Sequence, residues 1–285
     1  MDIEIPADVS LRPMTKKDVK AVGKILAAQN KEEAEEAVAY YKKNLIGQYV
    51  MTKGRKIAGV AGFEAIRDTD RSFWLTWSGI DGQYGGNGIN SGILLELVKR
   101  ELQQEGARKV FVNLSTQDPV LGGSGRRFGG AEQPYLDFGF KIEIRQKGYY
   151  TANEDVMVLG MQMTEEHHEV NKAFIDAEVH VNNDEKGLRI LDYDEIEETD
   201  DAYFVDWEYV GGIGDNESKV REVLSEISGF GGRVAFVGVP SDAAGVIEIF
   251  KAAGFVEEGR VSDLIANGLD EVRLRYNIGS KHVYI

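Results

Sequence analysis

The spacing that first suggests chemistry in this chain is a set of four glycines between a run of bulky residues and a helical pattern. Residues 72–100 read SFWLTWSGIDGQYGGNGINSGILLELVKR. Phe73, Leu75 and Trp77 alternate with Trp74, Thr76 and Ser78, so both faces of one strand carry packing groups, as in a central strand. Gly82, Gly85, Gly86 and Gly88 supply the backbone freedom of a sharp turn. From Ile89 onward, Ile93, Leu94, Leu97 and Val98 fall on one side of a helix. Such a turn leaves several N–H groups unpaired at the positive end of the helix dipole, where a pyrophosphate would be held. Residues 85–90 do not fit GxGxxG, and no lysine of a P-loop falls in the turn. A plain strand-to-helix connection is the competing reading.

Other groups narrow the chemistry. The chain has no cysteine, which excludes disulfides, thiolate metal sites and a cysteine nucleophile. His167 and His168 lie in TEEHHEV without ligand spacing, so no metal is expected. Arg126 and Arg127 sit in the long loop 117–132, QDPVLGGSGRRFGGAE, where they could meet phosphates or an acidic substrate, or simply be solvated.

The elements that must position these groups follow from composition and pattern. At 285 residues with 42% hydrophobic content, two domains are expected. No apolar run is long enough for a membrane span, and MDIEIPADVS lacks the basic and apolar regions of a secretory signal; a cytoplasmic protein is the simplest fit. A net charge of −15 argues against nucleic acid or an anionic membrane as partner. Residues 9–13 read as a strand, and the next helix, capped by Thr15, runs through Val19, Val22, Ile25 and Leu26. A second helix covers 32–45, and 48–53 with 56–67 form a hairpin about Gly54. After the central strand, glycine turn and helix come a buried strand at 109–115 and a helix ending in PYLDFGF. Strands at 141–150 and 155–163 close the set.

In this order, strand, two helices, three strands, helix, strand, the chain resembles the GNAT N-acetyltransferases. The glycine turn resembles their acyl-CoA-binding segment, in which Arg/Gln-x-x-Gly-x-Gly/Ala opens a helix. Two registers are open. Gln83-x-x-Gly86-x-Gly88 matches literally, whereas aligning Ile80-Asp81-Gly82-Gln83-Tyr84 with the family's strand end sets Gly85 and Asn90 at the outer motif positions. The flanks favour the second. Tyr135, Gly139 and Phe140 match the family's Tyr-x-x-x-Gly-Phe, and the resemblance covers about residues 9–163. It implies acetyl-CoA as cosubstrate and direct attack by a small-molecule amine, without a covalent enzyme intermediate. Cofactor contacts would come from Ile80, Gln83, Tyr84, Gly85, Gly86, Asn87, Gly88, Ile89 and Asn90. A backbone N–H near Ile80 would stabilise the oxyanion, and Tyr135 would protonate the leaving thiolate. Glu64 is the first candidate for general base and Asp81 the second. A silent module that binds acyl-CoA or a small metabolite, or aminoacyl or other acyl transfer, are the alternatives.

The second half echoes the first. Residues 203–210 read as a strand, Gly211-Gly212-Ile213-Gly214-Asp215-Asn216 parallels 85–90, and a helix at 217–228 precedes a strand at 233–239. AAGVIEIFKAAGF again ends in Gly-Phe, with Phe250 where the first half has Tyr135. The early strands and helices are shortened or missing. The expectation is therefore an α/β (α+β) chain of two GNAT-like domains, each a mixed, mostly antiparallel sheet flanked by helices. Their boundaries are set at 1–163 and 164–285, the second domain is degenerate, and a homodimer is left open.

Overall fold

The computed structural model describes residues 3–85, 90–116, 132–164, 187–197, 199–209 and 216–279, the Glu32 side chain excepted. Gly86, Asn87, Gly88, Ile89, Arg126, Arg127, His167, His168 and residues 211–215 lie outside the described residues. The chain forms two compact units, residues 1–142 with 158–166 and residues 143–157 with 167–285.

The first unit opens with β1 (Val9–Pro13), α1 (Val19–Ala27), α2 (Lys31–Lys43), β2 (Gln48–Lys53) and β3 (Lys56–Ala65). The expected cap of α1 is corrected here. Thr15 donates through its N–H and its hydroxyl to the Asp18 carboxylate, which Arg12 also grips with two bonds of 2.8 Å. That guanidinium holds the Asp18 carboxyl well below the usual carboxylate range. α1 and α2 cover one face of the sheet, burying Val22, Ala37 and Tyr41 against Val50 and Val60. The apolar positions of α1 recur at three- and four-residue spacing, which is what lets the helix lie flat on the sheet.

The expected central strand is two strands, β4 (Ser72–Leu75) and β5 (Gly79–Ile80). α3 (Ser91–Gln104), β6 (Lys109–Ser115) and α4 (Glu132–Phe138) follow, and β7 (Lys141–Thr151) and β8 (Glu154–Gln162) complete the sheet in the order β1-β2-β3-β4-β6-β8-β7, with β5 on β3. β4 runs parallel to β6 and antiparallel to β3. The mixed α/β class is as expected, and so is the order of elements.

The second unit contains β9 (Leu188–Glu195), β10 (Ala202–Tyr209), α5 (Asn216–Gly229), β11 (Val234–Pro240), α6 (Ala244–Ala252), β12 (Val256–Ala266) and β13 (Leu269–Asn277). Its sheet order, β9-β10-β11-β13-β12, reproduces β3-β4-β6-β8-β7 strand for strand, and β10 and β11 are again the parallel pair. The turns before the parallel pairs agree atom by atom. Ile66 N–H donates to Ser72 O and Thr69 Oγ1 to Ile66 O, both at 2.8 Å. Ile196 and Thr199 make the same two bonds, at 2.8 and 2.7 Å. Arg71 and Asp201 both take positive φ, 50° and 53°. Arg108 Nε binds Asp70 O at 2.7 Å, and Arg233 Nε binds Asp200 O at 3.0 Å.

Candidate functional site

The break between β4 and β5 is a β-bulge. Phe63 faces Leu75 and Val60 faces Gly79, so Thr76, Trp77 and Ser78 oppose only Gly62 and Ala61. One extra residue inverts the side-chain alternation beyond it. Trp77 therefore leaves the face shared by Phe73 and Leu75 and packs against Tyr40 and Tyr41, with ring centroids 5.3 and 5.8 Å apart. This corrects the alternation read from the sequence, which put all three on one face. Close packing sustains the bulge: Thr76 Oγ1 donates to the buried Gln48 Oε1 at 2.9 Å, and a Cβ on Gly62 would collide with both groups.

Beyond the bulge, β5 stays on β3, and β6 is paired only to Ser72–Trp74. The strands part, and a cavity of about 270 Å³ opens between the Thr76–Ile80 segment, α3 and α4. Thr76 and Asp81 donate their N–H groups to Gly62 O and Ala58 O on β3, at 3.0 and 2.9 Å. Donors alternate along a strand, so the N–H of Ile80 points away from β3, on the side where the strands part. Ile80 lines the cavity.

Tyr135 lines the same cavity from α4. Gly139, at φ 115°, ends that helix, its N–H and that of Phe140 returning to Tyr135 O at 3.1 and 3.0 Å. Phe140 packs edge-on against the Tyr135 ring at 5.4 Å. This helix stop fixes the phenol in the cavity wall. Burial pushes the Tyr135 phenol up to about 12, against which a hydrogen bond with Ser78 acts. At neutral pH the group is a proton donor, not a phenolate. Leu94, Leu95 and Val98 of α3 make much of the remaining wall apolar, and Gln29, Ser78 and Ser91 add polar groups. That mixture fits a flexible thioester arm with amide groups along it.

At the start of α3, Asn90 is the cap: its Oδ1 accepts from Ile93 N–H at 3.0 Å. The N–H groups of Ser91 and Gly92, in the first turn of α3, have no acceptor inside the helix. Gln83 is exposed and bonded to Asp81 through its N–H (3.0 Å) and its side-chain amide (3.1 Å). Tyr84 N–H donates to Asp81 O at 2.8 Å, and Gly85 lies in the same turn. Asp81 is thus a turn-forming residue. Glu64 is not among the residues lining the cavity. It is exposed on β3 and accepts from the Tyr40 hydroxyl at 3.2 Å.

Of the residues named from the sequence, Ile80 and Tyr135 line the cavity; the bulge, Gln48, Thr76 and Ser78 were not foreseen. Gly62 and Gly79, on strands that otherwise carry side chains, were the available signal. Among the described residues there is no group of three or more histidine or acidic side chains able to hold a metal ion. No helix among them is long and apolar enough to cross a membrane.

No family model matches the sequence, and no curated protein matches it. Solved structures do. A protein assigned to the GNAT acetyltransferase family from Desulfovibrio desulfuricans is 19% identical, with a TM-score of 0.47, covering 55% of this chain and 99% of its own. Ard1 from Thermoplasma volcanium is 14% identical, with a TM-score of 0.44 over 56% of this chain and 100% of its own. The Salmonella typhimurium protein yncA, solved with its cofactor acetyl-CoA, is 14% identical, with a TM-score of 0.43 over 57% and 99%.

Proposed function

We propose that the first unit is an acyl-CoA-dependent N-acetyltransferase that moves an acetyl group from acetyl-CoA to a primary amine. The observation that carries this reading is one cavity with the outward-turned Ile80 strand segment on one wall and a neutral, buried Tyr135 phenol on another. These are the two donors that thioester aminolysis needs at different moments. The amine attacks the thioester carbon, and the negative charge forming on the carbonyl oxygen is met by the Ile80 N–H, already in place and fixed by the strand. When the C–S bond breaks, the departing thiolate takes its proton from Tyr135. An ammonium must lose one proton before it attacks and its nitrogen a second to become the amide, so one proton is released overall. Glu64, which does not line the cavity, takes the first through an intervening water. The Ser91 and Gly92 N–H groups at the start of α3 suit the pyrophosphate.

Calorimetric titration with acetyl-CoA tests the reading. Micromolar binding is expected for the protein as it stands. Ser91→Glu should weaken it about a hundredfold, because an acid in the first turn is tolerated by the helix but repels phosphate. Ser91 is exposed, so the fold should survive the change. Absence of heat with acetyl-CoA, or identical affinity in the variant, would defeat the assignment.

A further inference from the structure

Ser78 is the residue that the bulge exchanges for Trp77. With one extra residue taken up at 76–78, Trp77 goes to the side of α1 and α2, and Ser78 and Ile80 come to the cavity side, where both line the wall. There Ser78, half-buried on the strand, meets the buried Tyr135 of α4, and the two hydroxyls share a hydrogen bond. The other hydroxyls of the wall are engaged or distant in role: Thr76 is bonded to Gln48, and Ser91 is exposed at the start of α3. Among the described residues no charged side chain lines the cavity, so charge formed on the phenol oxygen is met there by hydrogen bonds and not by an ion pair. In the second unit Phe250 faces Trp207 at 6.2 Å, and the pair of hydroxyls is replaced by a pair of rings. The contact answers a difficulty in the acid step. Burial holds the phenol at about 12, whereas a thiol of the CoA kind ionises near about 8.5. The thiolate is the weaker base by roughly three orders of magnitude, so the proton reaches it more readily the better the phenolate left behind is stabilised.

We propose that Ser78 is the positioning residue of the acid step: its O–H donates to the Tyr135 oxygen, aims the phenol O–H at the departing sulfur, and stabilises the phenolate formed once the C–S bond has broken and the proton has passed to sulfur. The phenolate then regains a proton from the two that the ammonium gives up, and the other is released, so Tyr135 and Ser78 end the cycle unchanged. The role rests on the acyl-transfer reading; the hydrogen bond between the two side chains does not.

The test is a pair of double-mutant cycles on the full chain, with Ser78→Ala, Tyr135→Phe and both together. In urea unfolding the two changes should be non-additive, Ser78→Ala costing less stability beside Tyr135→Phe than alone. Turnover is read as thiol released from acetyl-CoA with n-butylamine as acceptor. Ser78→Ala should lower kcat about tenfold to a hundredfold, the worth of one hydrogen bond to a charged oxygen, and leave the calorimetric affinity for acetyl-CoA unchanged. Beside Tyr135→Phe it should lower kcat no further. Ser78→Thr, which keeps the hydroxyl, should stay within about threefold of the unaltered chain. Equal loss of kcat in both backgrounds, or full turnover in Ser78→Ala, overturns the role; additive stabilities overturn the hydrogen bond and the role with it. If acetyl-CoA is still bound and consumed, only this inference falls. An unaltered chain that binds no acetyl-CoA, or releases no thiol from it, loses the acyl-transfer reading and this role together, even where the unfolding cycle shows the bond.

Discussion

The two sheets share a strand order, a turn and a helix stop, yet a cavity opens beside the central strand of one, and a tryptophan packs beside the central strand of the other. In the first unit the extra residue of the bulge lies in the central strand, at Thr76–Ser78. In the second it lies in the neighbouring strand: Asp206 pairs with Asp192 and Trp207 with Ile190, so Leu191 is the residue left over. β10 consequently keeps its alternation, and Tyr203, Val205 and Trp207 all pack under α5 and α6. Trp207 donates its indole N–H to Gly238 O on β11 at 2.9 Å and meets the Phe250 ring at 6.2 Å. It lies where the first unit's strands part. The helix stop is duplicated almost exactly in its geometry. Phe250 and Phe255 stand 5.3 Å apart with Gly254 at φ 108°, against 5.4 Å for Tyr135 and Phe140 with Gly139 at 115°. What differs is one hydroxyl. The parallel strands part alike in both units, after Trp74 and after Phe204, so the comparison teaches that the position of the extra residue decides where the tryptophan goes: Trp77 is turned away from the gap, and Trp207 packs into it.

The sharpest way to break this contrast is to make the first unit resemble the second. Tyr135→Phe should fold normally and bind acetyl-CoA unchanged, while kcat falls about a hundredfold to ten-thousandfold, the usual worth of a positioned general acid. The same variant has a signature in stability. Burial holds the folded phenol neutral up to about 12, whereas the unfolded one ionises at about 10. The contribution of this group is therefore intact below about pH 10 and lost as pH rises toward about 12; Tyr135→Phe should lack that part of the alkaline loss in denaturant titrations. Unchanged kcat in the variant would reduce Tyr135 to a packing residue like Phe250.

The helix stops and the echo between the halves were legible because they are local. Tyr135-x-x-x-Gly139-Phe140 and Phe250-x-x-x-Gly254-Phe255 each need a left-handed glycine and an aromatic return at fixed spacing, and spacing is what a sequence displays. The bulge was not legible, because it is a property of pairing. Phe73, Leu75 and Trp77 alternate as faultlessly in sequence as Tyr203, Val205 and Trp207 do, and only the opposing strand decides whether the last of each set stays on its face. Glu64 was visible as a carboxylate, but its aromatic surroundings come partly from α2, distant in sequence, and partly from a tryptophan that the bulge redirects. The Thr15 cap failed for a related reason: its hydroxyl donates to the Asp18 carboxylate, which Arg12 on the preceding strand also holds.

A second experiment probes the filled cleft. Trp207→Ala should destabilise the chain by about 3 kcal/mol, the cost of emptying an aromatic site in a packed core. Titration should still count one acetyl-CoA per chain, since α5 opens with Glu217, an acid where a phosphate would have to sit. Two bound molecules in the variant would show that the tryptophan alone closes the second site, Glu217 notwithstanding. The smallest effect concerns the two helix starts. Asn90 caps its own helix, whereas the Asn216 oxygen accepts from Leu188 N–H at 2.7 Å and ties α5 to β9. Asn90→Ala should cost about 1 kcal/mol in urea unfolding, as lost caps do. Asn216→Ala should cost more, about 2 kcal/mol, because it strands a buried donor. Equal costs would mean that the two helix starts are held alike.

The extra residue at Thr76–Ser78 has a consequence for how such a molecule changes over time. A pleated strand has a parity, odd positions to one side and even to the other, and no substitution can alter it. Insertion or loss of a single codon reverses it for the rest of that strand. A cleft between two strands can thus be emptied or filled in one genetic event, with the tryptophan at its centre passing from one face to the other while most of the surrounding core keeps its composition.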